Sequence, residues 1–227
     1  MLNEMADNFV VMAESAFGLT VRPNHDYLQA FRIPYNAGNT EIDKWRDFRQ
    51  ALYDPHTRNL FYSGHGSNKG IGYDASNTNV FIPRAEIVSA LRTVPAGQTN
   101  RHAFRFVFLD GCDSASGLLP EAFGIVRQEN LPFEYYVNSG ERYSAFVGWN
   151  KNPTIGFTGH LVNPDHWKFI KNFQYLWFTS GNGLRQCLDD ATGKTGVQCP
   201  EGPNNVNPKD LTVYGYRNLG PNQYNGL

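Results

Sequence analysis

Apolar residues in this chain fall into two spacings that alternate along its length. Short aromatic and β-branched runs, Leu60 to Ser63 and Phe104 to Asp110, each end in a glycine-rich turn and predict buried strands. Similar runs at Phe9 to Met12, Ser144 to Trp149 and Leu211 to Tyr216 predict three more. Between them the spacing becomes helical. Ile42, Trp45, Phe48 and Leu52 lie on one face of a helix over Glu41 to Tyr53. Pro83 is placed to open a helix through Ile87, Val88 and Leu91, and Leu118 to Val126 predicts another. A long pattern after Asn163-Pro164 runs from Trp167 to Leu188, with Gly181 and Gly183 interrupting it. Thr192 to Lys209, rich in Gly, Asn and Pro, predicts an irregular excursion before the last strand.

Strands interleaved with helices imply an α/β fold, a three-layer sandwich around a mostly parallel central sheet. Such sheets gather functional groups at the carboxyl ends of their strands. His65 and Cys112 both follow a strand end, and each lies in a glycine turn: Tyr62-Ser63-Gly64-His65-Gly66 and Asp110-Gly111-Cys112-Asp113-Ser114. Histidine accepts a thiol proton near neutral pH, its ordinary pKa being about 6.5. A helix following Cys112 is expected to favour thiolate through its amino terminus. Taken singly, His65 reads more often as a structural strand-end residue than as a catalytic one, and Cys112 reads also as an inert buried thiol.

Together, 47 positions apart, the two motifs resemble the caspase-like superfamily of cysteine peptidases, the caspase-hemoglobinase fold. The likeness runs from Glu41 to Gly215, with Ala145 to Trp149 similar to the family's post-cysteine strand; Met1 to Thr40 shares only its first strand. The resemblance implies a single caspase-like domain over residues 1–227 and an endopeptidase in which Cys112 attacks a peptide carbonyl and His65 moves protons. It also implies an oxyanion hole formed by the backbone N–H groups of Gly66 and Cys112. In metacaspase-like and clostripain-like relatives the acid two residues before the cysteine binds Arg or Lys, and Asp110 stands there; the other reading is that Asp110 satisfies backbone donors at the strand end. Trp149 lines the substrate channel or packs in the core. Asp113 reads as a turn or helix-cap acid.

The stretch Asn68 to Asn77 lacks the acidic calcium-binding residues of metacaspases, and the Gln-Ala-Cys-Arg-Gly motif of animal caspases is missing. The departures point to a divergent bacterial member, nearest to metacaspase-like, clostripain-like or CHAT-like proteins, that uses no cofactor. The competing function is a noncatalytic caspase-like module of a larger signalling or surface protein. A hydrolase or transferase acting on a non-peptide acyl group would use the same nucleophile.

Composition narrows the partners. The 227 residues carry 20 basic and 21 acidic side chains, so no net field draws the protein to nucleic acid or to an anionic membrane. The expected partner is a protein or peptide substrate. No apolar run reaches the roughly 20 residues of a membrane span, and the amino terminus lacks a signal peptide's pattern, so the chain as given reads as soluble. Three cysteines leave at least one unpaired within the chain; Cys187 and Cys199 read either as a local bridge or as two ordinary thiols. His160 and His166 lack metal-ligand spacing, Gly181 to Gly183 follows no strand and makes a poor phosphate cradle, and Arg101, His102 and Arg105 read as a solvated strand edge.

Overall fold

The computed structural model describes residues 41–54, 57–72, 79–93, 104–151 and 163–221, without the side chains of 41–44. The expected strand at Phe9 to Met12 lies outside the described residues, as do Arg101, His102 and His160. The chain divides into two compact units, Ile33–Pro153 with Asp210–Tyr216, and Met1–Arg32 with Thr154–Lys209 and Arg217–Leu227.

The first unit is α/β. Its elements are α1 (Glu41–Tyr53), β1 (Asn59–Ser63), β2 (Gly66–Ser67), β3 (Gly70–Gly72), β4 (Phe81–Pro83), α2 (Arg84–Arg92), β5 (Phe106–Asp110), α3 (Leu119–Ala122), α4 (Phe133–Ser139), β6 (Ala145–Trp149) and β7 (Leu211–Gly215). Four strands form a mixed, mostly parallel sheet in the order β1-β5-β6-β7, with β7 antiparallel to β6. Strands β2, β3 and β4 form a separate antiparallel sheet.

Strands β5 and β6 are buried at every position. That is why they read as continuous apolar runs rather than as alternations: a central strand loses water from both faces. On one face Leu60, Val107, Leu109, Phe146 and Tyr214 join Phe48 and Leu52 of α1, Ile87 of α2 and Leu119 of α3 in a single core. On the other, Phe61 meets Phe108 edge to face at 5.2 Å, an arrangement worth about 1 kcal/mol beyond burial.

Helix α1 has its predicted bounds. Arg49 ties it to the next layer element, donating to Glu86 of α2 at 2.7 Å and to the Phe81 carbonyl at 2.7 Å. Pro83 stands at the N-cap of α2 rather than in its first turn, because its extended backbone also closes β4. Helix α3 covers four residues rather than Leu118 to Val126. The chain turns at Phe123 and Gly124 and then runs extended, so that Glu129 and Leu131 bridge to Tyr214 and Tyr216.

The second unit holds α5 (Pro164–Thr179) and α6 (Leu184–Asp190), separated at Ser180 to Gly183 as the glycines predict. Asn163 caps α5 by accepting from the Asp165 N–H at 2.9 Å. The excursion from Thr192 is irregular but organised, ending in a 3₁₀ turn over Pro208–Asp210. Its anchor is Asn172, fully buried in α5, which donates to the carbonyls of Ala191 and Gly202 and accepts from the Glu201 N–H. No helix among the described residues is long and apolar enough to cross a membrane.

Candidate active site

The parallel register sets the site. Ser63 of β1 pairs with Asp110 of β5, so His65 and Cys112 each lie two residues beyond a matched pair at the carboxyl end of the sheet. The Gly64 N–H donates to the Asp110 carbonyl at 3.0 Å, extending the pairing into the turns. The turns touch at Gly111. A Cβ there would lie 2.9 Å from the Gly64 oxygen and 3.2 Å from the Gly66 nitrogen, so no larger residue fits without separating them. His65 is exposed and Cys112 partly buried.

Gly66 faces the cysteine turn for a reason visible in the small sheet. It pairs with Ile71, while the Gly72 N–H donates to the His65 carbonyl at 2.9 Å. That pattern makes Gly66 and Ile71 a non-hydrogen-bonded antiparallel pair. The Gly66 N–H therefore points off the β2–β3 ladder, and the Gly66 nitrogen lies close to Gly111 of the cysteine turn.

Cys112 does not stand at a helix amino terminus. Residues 111 to 118 pass through successive turns, and α3 begins only at Leu119. The expected thiolate-stabilising dipole is absent, and the thiol moves the other way. Burial pushes its pKa up, the charge of Asp113 adds to this, and that of Asp110 adds less; only its own backbone N–H acts downward. Asp113 caps no helix: it occupies the left-handed turn position at φ 51°.

Asp110 and Trp149 are brought together. Asp110 is fully buried; its Oδ2 accepts from Ser63 Oγ at 2.7 Å and its Oδ1 from Trp149 Nε1 at 2.8 Å. One carboxylate thus joins the ends of β1, β5 and β6. Trp149 is 2% exposed, so its ring packs in the interior rather than presenting a face to solvent. Asp110 does satisfy donors at the strand end, the side chains of Ser63 and Trp149 among them.

Two further residues hold the turns and carry no sequence signal beyond their nearness to the motifs. Ser114 Oγ donates to the Leu109 carbonyl at 2.6 Å and accepts from the Trp149 N–H at 3.0 Å, fastening the cysteine turn to β5 and β6. Tyr62 Oη donates to the His65 carbonyl at 2.8 Å.

Other candidates fall elsewhere. Cys187 and Cys199 are both free thiols. Cys199 Sγ donates to the Asp190 carbonyl, while Cys187 is fully buried with its pKa pushed up to about 11 by burial. Arg105, expected at a solvated edge, is 8% exposed, because its strand lies between β1 and β6. His166 is buried in α5, and no cluster of three His, Cys, Asp or Glu side chains suited to a metal occurs among the described residues. No protein-family model matches this chain, and no curated protein matches it.

Proposed function

We propose that the protein is a cysteine endopeptidase with a three-layer caspase-like fold, working through a His65/Cys112 dyad. The observation that carries this reading is the register of β1 on β5, which puts the two residues on abutting turns, with Gly66 close against Gly111. Burial and the charges of Asp113 and Asp110 raise the thiol pKa, which favours general base catalysis over a preformed ion pair. Cys112 Sγ bonds to the scissile carbonyl carbon as its proton passes to His65, and the carbonyl electron pair moves onto oxygen at the N–H groups of Gly66 and Cys112. Collapse breaks the C–N bond, His65 protonates the departing amine, and water then hydrolyses the thioester.

Fluorogenic peptides ending in Arg, Lys or Asp before the reporter test the reading and its basic preference together. Turnover by the wild-type chain, abolished in Cys112→Ala, is the expected result. A wild type that cleaves none of them, even after limited proteolysis, overturns it.

The raised thiol pKa favours a second reading, a caspase-like module that no longer catalyses. Slow alkylation of the resting thiol does not separate the two, since a general-base dyad is slow in that assay as well. Turnover does.

A further inference from the structure

The His65 carbonyl and the Gly66 N–H are the two ends of one planar trans peptide, so fixing one aims the other in the opposite direction. That carbonyl accepts two hydrogen bonds: from the Gly72 N–H at 2.9 Å, part of the β2–β3 ladder, and from Tyr62 Oη at 2.8 Å, reaching over from β1. Tyr62 is itself braced. Its ring centroid lies 6.3 Å from that of Trp45 and 5.7 Å from that of Phe48, both on α1. Burial, and then the charge of Asp110, raise the phenol's pKa, so the hydroxyl keeps the proton it donates. Gly64 makes room for it, since a Cβ at that position would come within 2.7 Å of Tyr62 Oη.

We infer that Tyr62 is a positioning residue which, through the His65 carbonyl, aims and polarises the Gly66 N–H toward the oxyanion; this rests on the peptidase reading above. A carbonyl that accepts two bonds polarises its peptide, and the N–H at the far end becomes the better donor. The hydroxyl acts on the peptide plane and makes no contact with the thiol that the reaction consumes. Its loss therefore weakens the transition state of acyl attack and leaves the nucleophilicity of sulfur unchanged.

Tyr62→Phe keeps the ring against Trp45 and Phe48 and removes only the hydroxyl. Losing an oxyanion donor outright costs ~10²–10³ in rate, so a misaimed one costs roughly tenfold in kcat, with KM changed less than twofold. Affinity for a peptide aldehyde should fall in parallel. In that adduct Cys112 Sγ bonds to the aldehyde carbon, the carbonyl pair moves to the oxygen facing Gly66, and the thiol proton passes to His65. Alkylation of Cys112 by iodoacetamide, which builds no carbonyl oxyanion, should keep its rate and pH profile. Unchanged kcat and aldehyde affinity in Tyr62→Phe overturn the inference. An equal loss of alkylation overturns it too, assigning Tyr62 to the imidazole or to the fold. A wild type that neither cleaves peptides nor binds aldehydes overturns the peptidase reading itself, and this inference with it, before any variant is made.

Discussion

Each of the two units holds a buried polar centre and a thiol, and the centres do different things. In the first unit, Asp110 accepts from the side chains of Ser63 and Trp149, and so joins three strand ends beneath the turns of His65 and Cys112. In the second, Asn172 bonds only to backbone, at Ala191, Gly202 and Glu201, and so gives a segment without helix or strand a fixed path. Asn204 repeats the device, donating to Ala191 and accepting from the Val206 N–H. Both centres obey the same rule, that a buried polar group must be bonded. The thiols differ as well: Cys112 lies on an open turn beside a histidine turn, whereas Cys187 is shut in a core.

The largest test of this contrast removes the backbone hub. Asn172→Leu leaves the half-buried Glu201 N–H and Gly202 carbonyl without this partner and removes a bond to the buried Ala191 carbonyl; a group left unpaired costs ~1–3 kcal/mol when buried and less where water reaches it. Stability in urea should fall by about 3–5 kcal/mol. A change below about 1 kcal/mol would mean that the excursion holds its path without Asn172.

The buried thiol comes next. The Cys187 pKa is raised from 9.0 to about 11 in the fold. The unfolded chain releases its proton first as pH rises, so the contribution to stability is whole below the ordinary thiol value and is lost between about 9 and 11. That loss is about 2–3 kcal/mol. Tyr62 and Tyr136, also raised by burial, add a loss of the same sign, so the measurement is the difference between wild type and Cys187→Ala across this range. Parallel curves would show that Cys187 is not shielded from water.

The smallest effect falls on the side-chain centre. Asp110→Asn keeps the shape but sets an amide against donors on both sides, at a cost of about 1–2 kcal/mol. If the carboxylate serves to hold the turns, cleavage of Arg, Lys and Asp substrates should drop together, by roughly tenfold. A loss confined to Arg and Lys would instead make Asp110 the group that reads the substrate.

Long elements were legible in the sequence because their burial is periodic. Trp45, Phe48 and Leu52 define α1 to the residue, and the apolar runs mark β1, β5, β6 and β7 to within two residues at either end. Short elements were not. β2, β3 and β4 have two or three residues each, too few to show any period, and α4 follows no predicted pattern. The four-residue α3 is shorter than its apolar pattern predicts because its apolar residues continue into an extended segment that bridges to Tyr214 and Tyr216.

For the site, the sequence by itself determined the reactive types and their places: a histidine and a cysteine in glycine turns, each following a buried run. It also determined that Asp110 ends the same strand that leads to the cysteine. Tertiary structure decided the rest. Which strands pair, and in which register, depends on contacts between residues such as Ser63 and Asp110 that lie far apart in the chain. The thiol's direction of shift was decided there too, because desolvation and the charges of Asp113 and Asp110 act through space. A local motif cannot specify the dielectric or the neighbours in which it comes to rest, and these govern when Cys112 gives up its proton.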